Sequence, residues 1–113
     1  MTPTEVVRAF NAAVDRRDVP SITGLLSEDA VFESTGAPDG VRFEGRQAIA
    51  DFWTRFFVEN PGARFHNEEE FTVDDRVVTR WRYEWSSAGH VRGVDLFRVS
   101  GSFVSEKLSY VKG

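Results

Sequence analysis

The second half of the chain contains four segments in which apolar and polar residues alternate. They run over Arg64–Val73, Arg76–Ser86, His90–Val99 and Phe103–Val111. The turns between them lie at residues 74–75, 86–89 and 100–102, and they are rich in Asp, Ser and Gly. Alternation with a period of two predicts β-strands with one buried face, and short turns join strands that pair as sequence neighbours. A four-stranded antiparallel meander is therefore the element that most constrains the fold.

Three helical patterns precede the meander. The segment Thr2–Glu5 has the residues of a capping box, with Pro at the first helical position, and the helix that it begins should end near Arg17. Asp18 is placed to cap a second, short helix. The segment Arg46–Val58 carries aliphatic and aromatic residues at helical spacing and predicts an amphipathic helix.

Residues 30–34 predict a brief strand, and residues 35–45, which contain several Gly and Pro, predict a loop. The complete order is helix, helix, strand, helix and meander. This order is typical of an α+β fold with helices on one face of a curved antiparallel sheet. We expect residues 1–113 to form one domain, because this length is enough for only one hydrophobic core.

Composition excludes several classes of function. The net charge of −4 argues against nucleic acid binding, which normally requires a basic face. No apolar run approaches the roughly 20 residues that span a bilayer, and no secretion signal is present, so we expect a cytoplasmic protein that does not bind membranes. The chain has no Cys, and its two His residues lack metal-ligand spacing. We therefore predict no metal and no cofactor.

One acidic residue lies in an otherwise apolar strand. Asp95 shares a predicted strand face with Phe97 and Val99, so its carboxylate should point into the apolar side of the sheet. A buried carboxylate either finds a partner or raises its pKa and stays neutral. Asp95 is therefore the candidate acid–base residue, and the alternative is a structural carboxylate paired with an arginine or a backbone donor.

Aromatic residues are abundant and suggest a cavity lined by rings. Trp81, Tyr83 and Trp85 alternate on one face of a strand, where they either line a pocket or fill the core. Trp85 should lie at the rim. The sequence predicts a ligand-binding set consisting of Phe10, Phe32, Ser34, Trp53, Phe57, Asn67, Glu69, Trp81, Tyr83 and Phe97.

Asn67 and Glu69 are included because they share a strand face with Phe65 and Phe71, which would aim them inward. In that position Glu69 would supply a second carboxylate. A β-bulge would reverse the assignment, because a slip of one residue exchanges the two faces.

The whole chain resembles the SnoaL-like branch of the nuclear transport factor 2-like superfamily. The residues that carry the resemblance are Val6–Ala13, Asp29–Glu33, Gly45–Ile49 and Val94–Val99. The resemblance implies a cone-shaped α+β barrel, with three helices packed on a curved mixed or antiparallel sheet around a pocket. It also implies a homodimer that pairs through the outer sheet face, where Arg80, Arg82 and Glu84 are expected.

Members of this superfamily include polyketide cyclases, ketosteroid isomerases, epoxide hydrolases and binding modules. Ketosteroid isomerases use a Tyr and two Asp at positions that match Phe10, Ser34 and Asp95, so only the last is retained. The catalytic Arg and Asp residues of limonene-type epoxide hydrolases match Trp81, Tyr83 and Ser109, so that set is absent. The acidic residue of the SnoaL-type cyclases matches Asp95.

The sequence thus predicts a protein that binds a small apolar or aromatic molecule. The expected chemistry is cofactor-free isomerisation, cyclisation or dehydration, with Asp95 as acid or base and Ser34 offering a hydrogen bond. A non-catalytic binding or dimerisation module is the alternative, and an accessory domain that docks through its sheet is a weaker one.

Overall fold

The computed structural model describes residues 1–86 and 89–113. Helix α1 spans Pro3–Asp15, and its capping box is complete, because Thr2 and Glu5 bond each other's backbone amides. Helix α2 spans Val19–Gly24 and begins at Asp18, whose carboxylate accepts from the amide of Ser21. Helix α3 spans Arg46–Glu59. All three helices thus occur where the capping residues and the helical spacing predict them.

Six strands form one mixed sheet. The strands are β1 Leu26–Glu33, β2 Arg42–Glu44, β3 Arg64–Val73, β4 Arg76–Ser86, β5 Gly89–Ser100 and β6 Phe103–Val111. Their order across the sheet is β2-β1-β6-β5-β4-β3. Strands β3 to β6 are the predicted antiparallel meander, whereas β1 joins β6 in parallel. The α+β class with three helices on a curved mixed sheet is confirmed.

The first strand and the loop that follows it differ most from the sequence prediction. Strand β1 is longer than residues 30–34, and the segment predicted as a loop contains the short strand β2. The extra strand forms because β1 pairs with it, which places Phe43 opposite Phe32 and stacks their rings. The turn predicted at residues 86–89 includes Ser87 and Ala88, which lie outside the described residues.

The hydrophobic core lies between the helices and the inner face of the sheet. Helix α1 contributes Val6, Val7, Phe10, Ala13 and Val14. The sheet contributes residues from β1, β4, β5 and β6, and the ring of Phe10 meets Phe97 edge to face at a centroid distance of 5.8 Å. Over residues 1–86 and 89–113, no helix combines the length and the apolar character that crossing a membrane requires.

Candidate active site

Asp95 points into the molecule, as its position in the strand predicts. In β5 the inward residues Gly93, Asp95, Phe97 and Val99 are buried, while the residues between them are more exposed. Asp95 is only 6% exposed. A carboxylate this deep requires compensation, because an isolated buried charge is strongly unfavourable.

The compensation comes from two residues of β6. The Ser109 hydroxyl donates to Asp95 Oδ1 at 2.7 Å, and Lys107 Nζ donates to Ser109 Oγ at 2.9 Å. Lys107 Nζ also lies 3.5 Å from Asp95 Oδ2, and both side chains are 9% exposed. The antiparallel register aligns Ser109 with Asp95, so the three groups form one connected network. Asp95 therefore has a lysine and a serine as partners rather than the arginine or backbone donor considered from the sequence.

The Lys107 ammonium is enclosed by aromatic rings. Nζ lies 4.5 Å from the ring centroid of Phe32, 5.4 Å from that of Trp53 and 5.9 Å from that of Phe97. Cation–π attraction stabilises the charge there. Burial nevertheless lowers the pKa of Lys107, and the neighbouring Asp95 carboxylate opposes that shift. Desolvation is the larger effect, so the ammonium of Lys107 loses its proton more readily than an ordinary lysine.

Two adjoining cavities meet at this network. One, of about 290 Å³, opens beside α1 and includes Arg8, Asn11, Asp15 and Asn67 in its wall. The other, of about 190 Å³, is lined mainly by aromatic side chains, including Phe52, Phe56, Tyr83 and Trp85. The residues common to both walls are Trp53, Phe65, Trp81, Asp95 and Lys107. The buried ion pair is thus placed between a more polar chamber and an aromatic one.

Three nitrogen donors of the pocket wall have no hydrogen-bond partner among the described residues. They are Trp53 Nε1, Trp81 Nε1 and Asn11 Nδ2. The two tryptophans are only 3% and 5% exposed. Buried donors are almost always satisfied by protein groups, water or ligand. The pocket therefore offers N–H groups suited to an oxygen acceptor.

The structure brings most of the predicted site residues together around Asp95. Those that line one or both cavities are Phe32, Ser34, Trp53, Asn67, Trp81 and Tyr83. The Ser34 hydroxyl accepts from the amide of Val41 at 3.0 Å. Burial raises the pKa of the Tyr83 phenol, so this group stays protonated near neutral pH. Trp85 is exposed and lies at the rim, as predicted.

Three predicted ligand contacts are located elsewhere. Phe10 and Phe97 are fully buried in the core, where their rings meet edge to face, and neither lines the two cavities. Phe57 is also absent from both walls and packs beneath the Arg17 guanidinium, 5.2 Å from its ring centroid. The inward direction of an apolar side chain does not decide between the two places, because such a side chain can fill space between the helices and the sheet as well as line a cavity.

Glu69 points away from the pocket, which corrects the prediction that it faces inward. A β-bulge in β3 separates Asn67, which pairs with Trp81, from Glu69, which pairs with Arg80. Asn67 stays on the pocket side, whereas the Glu69 carboxylate is 58% exposed and accepts from Arg80 Nε at 3.1 Å. Past the bulge the side-chain alternation is reversed, so Glu69 does not supply a second carboxylate to the site.

Sequence reasoning missed Lys107 and the part that Ser109 plays. Lys107 lies in a strand of mixed polarity between Glu106 and Leu108, and nothing local marks it as buried. The usable signal is its cross-strand register, since Phe97 pairs with Lys107 and Asp95 with Ser109. Phe52 and Phe65 were also missed as wall residues.

Charged side chains of the outer sheet face form ion pairs with one another. Arg82 Nη2 lies 2.7 Å from Glu84 Oε1, and His66 Nε2 lies 3.5 Å from Oε2 of the same carboxylate. Arg92 pairs with Glu68 at 3.0 Å. Within residues 1–86 and 89–113, no cluster of three or more His, Cys, Asp or Glu side chains is arranged to hold a metal ion.

Comparison with known proteins assigns the fold to a family. The family model of the SnoaL-like domain matches residues 7–106. A solved structure of a nuclear transport factor 2-like protein of unknown function from Mesorhizobium loti is 40% identical, with a TM-score of 0.88, over 98% of this chain and 91% of that one. No curated protein matches this sequence.

Two more distant structures are similar in fold. One is a protein from Sinorhizobium meliloti provisionally named a polyketide cyclase, at 17% identity and a TM-score of 0.82, with 93% of each chain covered. The other is a protein from Kribbella flavida provisionally named a ketosteroid isomerase, at 16% identity and a TM-score of 0.84, covering 98% of this chain and 78% of that one. At these identities the likeness concerns the fold alone.

Proposed function

Because this chain belongs to the SnoaL-like domain family, we propose that it binds a small apolar or aromatic molecule between its helices and sheet and acts on it by cofactor-independent acid–base chemistry. The observation that carries the proposal is the buried Asp95–Ser109–Lys107 network at the wall shared by the two cavities. A desolvated carboxylate beside an aromatic chamber is a common arrangement for acid–base work.

The ligand carries an oxygen acceptor on a largely apolar body. The aromatic chamber suits the apolar part, since its wall is made mostly of Phe, Tyr and Trp side chains. The free indole N–H groups of Trp53 and Trp81 suit a carbonyl or hydroxyl oxygen. Arg8 and Asp15 at the polar chamber already form ion pairs with Glu70 and Arg64. An uncharged acceptor therefore matches the pocket better than a carboxylate.

Asp95 is the base in this proposal. Its carboxylate takes a proton from the bound molecule, while the Ser109 hydroxyl and the Lys107 ammonium hold it in position and balance its charge. The same network can return the proton to another atom of the ligand, as isomerisation, cyclisation and dehydration all require. One positioned acid–base group contributes roughly 10²–10⁴ in rate.

A non-catalytic binding module is the second candidate. It is favoured by the occupation of both Asp95 oxygens by protein partners and by the outward direction of Glu69. In that case the network only shapes the pocket and orients the ligand. The two candidates share the binding site and differ in turnover.

The test begins with a panel of small aromatic ketones and alcohols. Ligands that raise the melting temperature are then followed by mass spectrometry for turnover, with wild type, Asp95→Asn and the matched control Asp29→Asn, which is exposed on β1. Turnover that falls at least about 100-fold only in Asp95→Asn supports catalysis. Binding without turnover selects the binding module, and failure of every compound to bind contradicts the pocket itself.

Self-association through the outer sheet face completes the proposal. The register aligns Phe71, Val78, Leu96 and Leu108 as one apolar row across β3, β4, β5 and β6. Phe71 is 54% exposed. Charged side chains flank this row, which is the pattern of an interface with an apolar centre and a polar rim. Sedimentation of Leu96→Glu beside wild type tests it, and an unchanged mass for the variant would contradict a dimer at this face.

A further inference from the structure

The chain uses lysine very sparingly. It has twelve Arg and two Lys, so arginine supplies nearly all of its side-chain cations. One lysine, Lys112, is exposed near the C-terminus, and the other, Lys107, is buried in the pocket wall. Arginine stays protonated in proteins, whereas a lysine can lose its proton and become a nucleophilic amine. Among residues 1–86 and 89–113, the buried side-chain cation is thus a lysine, which can become a nucleophile, and not an arginine.

The surroundings of Lys107 suit an amine that exchanges its proton. Asp95 Oδ2 lies 3.5 Å from Nζ, and Ser109 Oγ at 2.9 Å links the two groups. The rings of Phe32 and Trp53 lie close to Nζ, and burial lowers the pKa of the ammonium. Hydrophobic burial is one of the ways in which lysine nucleophiles are activated. Lys107 also lines both cavities, so a ligand in either chamber is beside it.

We propose that Lys107 is a reactive amine that forms an imine with the carbonyl group of an aldehyde or ketone bound in the pocket. The proposal rests on the proposed function only in requiring that the pocket admits such a molecule. It adds a covalent site at Lys107 to the acid–base role of Asp95.

The step balances without an oxidant, a reductant or a metal. Asp95 takes a proton from the Lys107 ammonium, and the freed lone pair of Nζ attacks the carbonyl carbon. A carbon–nitrogen bond forms, and the carbonyl π electrons move to oxygen, which takes the proton back from Asp95. Asp95 then takes the second proton from the positively charged nitrogen and passes it to the hydroxyl group, and the nitrogen lone pair freed in this way expels that group as water. Overall, a protonated amine and a carbonyl give a protonated imine and water.

Once the imine has formed, Asp95 can act as a base on the carbon atom next to it. A protonated imine withdraws electrons from the adjacent carbon and makes its C–H bond more acidic. The Asp95 carboxylate is close to the same nitrogen and is the base available to take that proton. Carbanion chemistry at the carbon next to the carbonyl then needs only these two side chains.

Reductive trapping tests the proposal in the intact wild-type protein. We would incubate the protein with 2-naphthaldehyde and sodium cyanoborohydride and locate the adduct by peptide mass mapping. Lys112 and the N-terminal amine serve as internal references for unspecific labelling. Because the pocket holds the carbonyl beside the amine, we expect Lys107 to be labelled at least about tenfold more than Lys112. Lys107→Arg keeps the charge and should lose the specific adduct.

A second probe separates failure of this proposal from failure of the pocket. 2-Methylnaphthalene has a similar shape and no carbonyl, so it should compete with labelling of Lys107 and raise the melting temperature without reacting. If it binds and Lys107 is labelled no more than Lys112, the amine proposal is overturned while the pocket stands. If neither compound binds and Lys107 stays unlabelled, both proposals are overturned. The wild-type labelling ratio decides the result even if Lys107→Arg does not fold.

Discussion

Replacing Lys107 with methionine should destabilise the protein by about 3 kcal/mol, the lower end of the 3–5 kcal/mol that follows loss of one partner from a buried ion pair. Methionine retains the apolar stem within the aromatic surroundings but leaves the Asp95 carboxyl group, which is 6% exposed, without its cationic partner. The loss stays at the lower end because the Ser109 hydroxyl still donates to Asp95 Oδ1 at 2.7 Å. A hydrogen bond to a charged group contributes about 1.5–3 kcal/mol.

The double variant Asp95→Leu/Lys107→Met shows how much of each single loss comes from leaving the other charged side chain without its partner. Removing both charges also removes the desolvation penalty, so this variant should be about as stable as wild type or up to about 4 kcal/mol more stable. The two single variants together should therefore lose far more than the double variant. Such non-additivity is expected of residues that are in contact or belong to one hydrogen-bond network.

Urea unfolding at neutral pH measures these differences, with equal slopes of the transitions showing that the denatured states are comparable. Lys112→Met is the matched control, because this lysine is exposed, and it should change stability by no more than about 0.5 kcal/mol. A loss below about 1 kcal/mol for Lys107→Met, or single-variant losses that simply add in the double variant, would refute a coupled buried pair.

Three further predictions concern packing, helix capping and pH. Gly93→Ala should cost about 1–3 kcal/mol by thermal unfolding, because the added Cβ would lie 2.3 Å from Trp81 Cζ2, whereas Gly24→Ala has open space and should be neutral or stabilising. Thr2→Ala removes the capping hydroxyl and should lower the free energy of unfolding by about 1 kcal/mol in urea, and no change would mean that the capping box is unimportant. Native Lys107 has a lowered pKa, so between that pKa and the ordinary lysine pKa of 10.5 the unfolded state binds more protons than the native state. The stability of wild type relative to Lys107→Met should therefore rise as the pH approaches 10.5, and a flat difference would contradict the lowered pKa.

Local sequence signals predicted most of the fold. Helix α3 was expected over Arg46–Val58 and ends one residue later, and β3 and β6 have the expected bounds. These elements were predictable because caps, helical spacing and strand alternation act within a few residues. Strand β2 was not predicted, because three residues in a Gly-rich segment are too few to show alternation. They form a strand only because they pair with β1.

Only part of the candidate site could be predicted, because contacts between strands place the other residues and these contacts leave no local sequence signal. Asp95 stands out because it interrupts an apolar strand, and Trp81 and Tyr83 stand out through their alternation. Lys107 gives no such local signal, since its burial depends on which residue of β5 lies opposite it. Phe10 and Phe97 show the opposite error, because an inward aromatic side chain can belong either to the core or to a cavity wall.

Two β-bulges decide which charges face the pocket. In β6, Ser105 is an extra residue between Val104, which pairs with Val99, and Glu106, which pairs with Arg98. If the strand alternated regularly from Val104 through Ser105, Glu106 would point inward and Lys107 outward. In β3 the bulge does the reverse, because it turns Glu69 out to Arg80. The pocket therefore contains Lys107 beside Asp95, while Glu69 and Glu106 stay on the outer face, and this difference arises from the backbone irregularities rather than from the residues' own preferences.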